Sequence, residues 1–239
     1  MPEPATPTSP RRAVLFDFHG TLGQVEDPID WVIRAAGSCG VALDRAVATG
    51  LADRLVAAGR AGGPRPGRVP PRLSEVFADR DLCGRAHRAA YTGLAATVDS
   101  GIPGLPEALY ARVLDPAGWQ VYPDTLPTLR ALRAAGVPVA VVSNIGFDIR
   151  PVLASWGVAE LIDACVLSCE LGRCKPDPAI FRAACAKLGV LAEHTLMVGD
   201  TPADAGAVDA GCRALILPAA EPGRPNGLSA VLDLVPSQH

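Results

Sequence analysis

Lysine is almost missing from this chain. Among 22 basic residues only Lys175 and Lys187 are lysines, and the rest are arginine. With so much Ala, Gly and Pro, the bias reads as that of a GC-rich coding sequence, and it makes Lys175 conspicuous. An excess of positive charge is missing too. The formal net charge is −3 and the pI about 5.8, so bulk charge gives no grip on nucleic acid or an anionic membrane. No apolar run approaches the roughly 18 residues of a membrane span. Residues 1–12 are rich in Pro, Thr and Ser and lack an apolar core. They are expected to form a disordered tail without a secretory signal. The seven cysteines are odd in number and form no CxxC pair, and the Cys165, Cys169 and Cys174 cluster lacks the partners of a zinc site. Reduced, mostly buried thiols and a cytoplasmic protein are expected.

What is present begins with Ala13-Val14-Leu15-Phe16-Asp17-Phe18-His19-Gly20-Thr21-Leu22. A short, β-compatible apolar run enters a single Asp and then a Gly-Thr turn. The run predicts a buried strand with Asp17 at its carboxyl end, the edge where open α/β sheets bind ligands.

From Tyr122 onward strands and helices alternate. An amphipathic helix over 124–135 precedes a strand at 137–142 that ends in Ser143-Asn144. A short strand at 164–167 and a helix at 178–188 follow. A strand at 196–198 ends in Gly199-Asp200, and a helix at 201–210 leads to a strand at 214–217. A last short helix falls at 228–234. This alternation predicts a right-handed, mostly parallel sheet.

The stretch between is different. Helices are expected at 27–37, 44–59, 74–96 (with a break) and 106–114, so Gly23 to Trp119 reads as helical, without a convincing strand. The Gly- and Pro-rich stretch from Gly59 to Arg72 reads as a solvated loop carrying Arg60, Arg65, Arg68 and Arg72. Arg85, His87, Arg88 and Tyr91 read as an exposed, charged helix face. Trp31 and Trp119 are expected in core or hinge packing.

Parallel strands put their carboxyl ends on one edge, so Asp17, Ser143, Lys175, Asp200 and Asp204 can converge. Oxygen ligands of this kind suit a hard cation such as Mg²⁺. A hydroxyl and an ammonium suit phosphoryl oxygens, and a carboxylate beside a divalent metal can attack phosphorus.

Four motifs in order resemble those of the haloacid dehalogenase (HAD) superfamily. They are Phe16-Asp17-Phe18-His19-Gly20-Thr21-Leu22, Val142-Ser143-Asn144, Lys175-Pro176-Asp177-Pro178-Ala179-Ile180-Phe181 and Val198-Gly199-Asp200-Thr201-Pro202-Ala203-Asp204. The resemblance implies an α/β fold with a Rossmann-like parallel sheet core over 13–23 and 120–239. An all-helical, type-1 cap is implied over 24–119, as in the subfamily of small-molecule phosphatases and 2-haloacid dehalogenases.

It also implies roles. Asp17 would be the nucleophile and a metal ligand, joined by the His19 carbonyl and Asp200. Asp204 would support the metal through water or orient Lys175. Ser143 and Asn144 would hold the phosphoryl group, Thr21 would lie close to it, and Lys175 would neutralise charge.

One position departs from the pattern. Phosphatases of this family carry Asp two residues after the nucleophile, as acid and base, and here His19 stands there. Histidine can do such work. Dehalogenase relatives carry Tyr there and do without the metal acids, which this chain keeps. Phosphonate-cleaving relatives use a cap lysine, which Gly23 to Trp119 lacks. The reading is Mg²⁺-dependent hydrolysis of a small phosphomonoester through an aspartyl-phosphate on Asp17. The alternatives are a 2-haloacid dehalogenase, or a degenerate relative that binds a phosphorylated ligand or partner without turnover.

Overall fold

The computed structural model describes residues 12–221 and 223–235; residues 1–11 of the expected tail lie outside them. Strand β1 (Ala13–Phe16) is buried along its whole length. It is followed by β2 (Gly23–Val25) and by helices α1 (Pro28–Ser38), α2 (Arg45–Ala58), α3 (Ser74–Ala78), α4 (Gly84–Ala95) and α5 (Leu105–Leu114). Then come β3 (Trp119–Val121), α6 (Thr125–Ala134), β4 (Val139–Ser143), α7 (Arg150–Ser155), β5 (Ala164–Leu167) and α8 (Ser168–Leu171). The chain continues with α9 (Pro178–Leu188), β6 (Thr195–Gly199), α10 (Pro202–Ala205), β7 (Arg213–Ile216) and α11 (Ala230–Leu234).

Five strands form one parallel sheet in the order β5-β4-β1-β6-β7. The pleat sends alternate β1 side chains to opposite faces. Val14 and Phe16 join a core with Leu129, Leu132, Val152 and Leu153 from α6 and α7. Ala13 and Leu15 join a second core with Ile180, Phe181 and Ala184 of α9. Both faces are covered, which is why the strands read as continuous apolar runs. The helical insertion carries its own core, built from Trp31, Val32, Leu51, Leu55, Leu105 and Leu109.

Several sequence expectations are corrected. Gly23–Val25 does form a strand, paired antiparallel with Trp119–Val121 where the chain leaves and re-enters the sheet layer. Three residues beginning with Gly carry too little periodicity to announce a strand. The helix expected over 201–210 splits into α10 and a 3₁₀ turn at Gly206–Ala210. Gly206 presses against Pro176, where a Cβ would collide.

Arg60 is buried, not solvated: its Nη2 donates to the Glu26 carbonyl at 2.9 Å and its guanidinium lies 4.4 Å from the Trp31 ring centre. Arg65, Arg68 and Arg72 are exposed as expected. On α4, Arg85 and Arg88 are exposed, but His87 is buried and Tyr91 half-buried; both face the cavity described below. Trp119 packs at the hinge with its indole N–H on the Val113 carbonyl. Among the described residues no helix is long and apolar enough to cross a membrane.

Candidate active site

The carboxyl ends of β1, β4 and β6 meet at one edge of the sheet. Asp17 follows β1 and is fixed there by its backbone N–H, which donates to the Val198 carbonyl at 2.8 Å. Gly20 (φ +82°) turns the chain back immediately, and a Cβ there would collide with the Asp200 carboxylate. Glycine is required on both counts.

Lys175 reaches into the middle of this edge. Its Nζ donates to Asp17 Oδ1 at 2.6 Å, to Asp204 Oδ1 at 2.6 Å and to the Val142 carbonyl at 3.0 Å. Burial opposes the ammonium, but Asp17 and Asp204 outweigh it and hold the Lys175 pKa above its usual value. Asp17 is shifted upward, by burial first, with Lys175 opposing and Asp204 adding. Asp200 is pushed up to about 7 by burial and by the neighbouring Asp17.

Asp204 is fully committed. Its Oδ1 takes Lys175, and its Oδ2 takes the Thr201 backbone N–H at 3.0 Å and the Thr201 hydroxyl at 2.7 Å. Asn144 is committed as well. Its amide donates to the Lys175 carbonyl at 2.9 Å and accepts from the Lys175 N–H at 2.6 Å. The side chain thus fixes the lysine backbone, and what Asn144 has left for a phosphoryl group is its backbone N–H and the second hydrogen of its amide. Ser143, at the end of β4, is buried and lines the cavity.

Oxygens of Asp17, Asp200 and Asp204 lie within 4.8 Å of one another. Asp200 Oδ1 and Thr21 Oγ1 are buried without a hydrogen-bond partner. Orphaned oxygens in a carboxylate cluster are a donor set that fits a hard divalent cation, Mg²⁺ above all.

A cavity of about 150 Å³ opens above this edge. The sheet side supplies His19, Ser143, Asn144, Ile145 and Phe147, and the helical insertion supplies Arg80, Asp81, His87 and Tyr91. The His19 ring stands edge-on to Trp119, 5.8 Å between centres, and against Gly62, where a Cβ would lie 3.1 Å from Nε2. Burial and then the nearby Arg60 push His19 down to about 4, so its imidazole is uncharged near neutral pH.

Two participants escape sequence reasoning. Asn226 is buried, and its amide donates to the carbonyls of Gly20 and Thr21, each at 3.0 Å. It clamps the turn that follows Asp17 from far along the chain. Asp81 enters the cavity from the turn between α3 and α4. Neither carries a local signal.

A parallel α/β core with a buried Asp, a buried Lys and a carboxylate cluster at the strand ends defines a class of hydrolases. Residues 11–210 match the haloacid dehalogenase-like hydrolase family, and the chain belongs to it. It is 40% identical over 130 residues to a phosphoglycolate phosphatase of Rhodospirillum rubrum, covering 52% of this chain and 53% of that one. It is 32% identical over 200 residues to a phosphoglycolate phosphatase of Cereibacter sphaeroides, covering 82% and 80%. Against several of the curated relatives it matches, the chain spans about half their length or less. A crystal structure of a dehalogenase superposes with a TM-score of 0.63 at 26% identity, over 95% of this chain and 97% of that one.

Proposed function

We propose that the protein hydrolyses a small phosphomonoester, with Asp17 as the nucleophile. The observation that carries this reading is the placement of Lys175 between Asp17 and Asp204, with the unpartnered Oδ1 of Asp200 beside them. A single cation among three carboxyls leaves a net negative pocket, which must be offset before a phosphate dianion can enter. Mg²⁺ held by Asp17, the His19 carbonyl and Asp200 would supply that charge and polarise the phosphoryl oxygens.

Asp17 attacks phosphorus and the ester oxygen departs, leaving an aspartyl-phosphate. Lys175 holds Asp17 in place and offsets the phosphoryl charge. Ser143 donates its hydroxyl, Asn144 its N–H, and Thr21 its otherwise unpartnered hydroxyl to the same group. Asp204 acts through Lys175, since both its oxygens are taken. Water then attacks the aspartyl-phosphate, and the uncharged His19 ring accepts its proton. Residues 24–119 act as a cap that closes the cavity and excludes bulk water. A cytoplasmic setting is supported by seven cysteines that are all unpaired.

The second reading, attack of Asp17 on the carbon of a 2-haloacid, is favoured by the likeness to a dehalogenase structure. It leaves Asp200 and its orphaned oxygen without work. Phosphate release from small esters, 2-phosphoglycolate among them, tests both readings with and without Mg²⁺ and beside Asp17→Asn. Metal-dependent release that vanishes in the variant is expected. Halide release from 2-haloacids in EDTA, with no phosphate release, would overturn the phosphatase reading.

A further inference from the structure

A phosphate ester with an alkyl leaving group needs a proton on the departing oxygen. The position two residues beyond Asp17 holds no carboxyl to give it. The cavity does hold one carboxyl: Asp81 is its sole acidic lining residue among the described ones, on the wall opposite the sheet.

Asp81 is placed firmly. The turn carrying it is closed by the Leu82 N–H on the Asp79 carbonyl at 2.9 Å. The buried Ser168 hydroxyl donates to the Asp81 carbonyl and accepts the Ile145 N–H at 2.8 Å. Ile145 stands two residues after Ser143. Gly146 continues the seam, and a Cβ there would collide with the Arg80 carbonyl and with His87. The cap turn therefore rests directly on the loop that presents Ser143 and Asn144, and Asp81 lines the same cavity as His19, Ser143 and Asn144.

We propose that Asp81 is the general acid of the reaction: its carboxyl protonates the leaving oxygen as the phosphorus–oxygen bond breaks. This rests on the phosphatase reading above. In the first step the Asp17–phosphorus bond forms and the ester bond breaks. The alkoxide takes the Asp81 proton, so an alcohol leaves and Asp81 becomes a carboxylate. In the second step water supplies the hydroxyl, His19 takes the proton and passes it to solvent, phosphate departs from Asp17, and solvent reprotonates Asp81.

Two features suit the role. Burial raises the Asp81 pKa, against Arg80 and Arg65, which lower it, and an entering phosphate dianion pushes in the same upward direction. Arg80 Nη2 lies 3.1 Å from Asp81 Oδ2. It is therefore placed to stabilise the carboxylate formed when the proton leaves.

The test compares two small phosphorylated compounds, an alkyl ester and an acyl phosphate, that differ in their need for a proton. 2-Phosphoglycolate releases an alkoxide and acetyl phosphate releases a stable carboxylate. In Asp81→Asn the ratio of kcat/KM for 2-phosphoglycolate to that for acetyl phosphate is expected to fall at least about 100-fold, the scale of lost general acid catalysis. Asp81→Glu, which keeps the carboxyl, is expected to recover part of that ratio. An unchanged ratio in folded Asp81→Asn overturns the proposal, whether both activities fall together or neither falls. So does a ratio that collapses in His19→Asn and holds in Asp81→Asn. Wild-type protein that releases phosphate from neither compound nor from any of the small esters above overturns the phosphatase reading, and this proposal with it.

Discussion

The ammonium of Lys175 stands 2.6 Å from the Asp17 carboxylate, and both groups are buried. The contact offsets the charge of the Asp17 carboxylate, and a second 2.6 Å contact to Asp204 holds the ammonium in line. Removing the cation leaves like charges crowded in a largely buried site. Lys175→Met is expected to cost about 3 kcal/mol in EDTA, the scale for breaking a buried pair from one side. Turnover is expected to fall at least about 100-fold. Urea unfolding and phosphate release measure the two effects. Unchanged stability would mean that the carboxyls are relieved in some other way.

Gly20 and Gly40 separate backbone strain from site geometry. Both have positive φ, +82° and +78°. A Cβ at Gly40 meets open space, whereas one at Gly20 meets the Asp200 carboxylate. Gly40→Ala is expected to cost about 1 kcal/mol, the strain of alanine at positive φ. Gly20→Ala is expected to cost at least about 1 kcal/mol more and to weaken the stabilisation given by Mg²⁺. Equal losses in urea unfolding would show that Asp200 moves aside freely.

The sheet and most of the polar edge are legible in the sequence because they are local statements. Four apolar residues running into Asp17 describe a buried strand and its end, and Val198-Gly199-Asp200 does the same. Lys175 stands out by rarity alone. What stays hidden depends on contacts between distant segments. The Arg60 loop is rich in Gly and Pro and reads as solvated, yet Glu26 and Trp31, more than twenty-five residues earlier, draw its guanidinium inward. His87 sits in a stretch that reads as charged, and its burial follows from contact with Gly146 and Phe147. Asn226 bonds to residues over two hundred positions away. The β2–β3 ribbon is too short to have a period.

Asp200 offers a test of the metal site that needs no substrate. Without metal its carboxyl crowds Asp17 and carries an unpartnered buried oxygen, so Asp200→Asn is expected to be as stable in EDTA as wild type, or more so. With Mg²⁺ at 100 times its Kd, wild type is expected to gain about 2.7 kcal/mol, and the variant very little. Thermal melting in EDTA and in Mg²⁺ reads the difference. Equal gains in both proteins would place the cation elsewhere.

His87 should make the protein acid-sensitive. The residue is 3% exposed. Nδ1 lies 3.0 Å from the Tyr110 hydroxyl, and the Tyr91 and Phe147 rings flank it at 4.7 and 5.4 Å between centres. Burial and then Arg80 lower its pKa to about 4, below the 6.5 of an unfolded histidine. As pH falls below about 6.5 the unfolded chain takes up a proton that the folded one refuses, so stability drops until the folded group titrates as well. Asp81 works in the opposite direction, since its raised pKa lets the folded state hold a proton that the unfolded state has lost. The comparison must therefore be made against His87→Gln, which keeps a polar side chain beside Tyr110 and removes the titration. Between pH 7 and pH 5, wild type is expected to lose about 2 kcal/mol more than the variant, at about 1.4 kcal/mol per pH unit below 6.5. Urea unfolding at several pH values measures it. Parallel curves for the two proteins would mean that folded His87 takes up its proton as readily as the unfolded chain does, with Tyr110 as its acceptor.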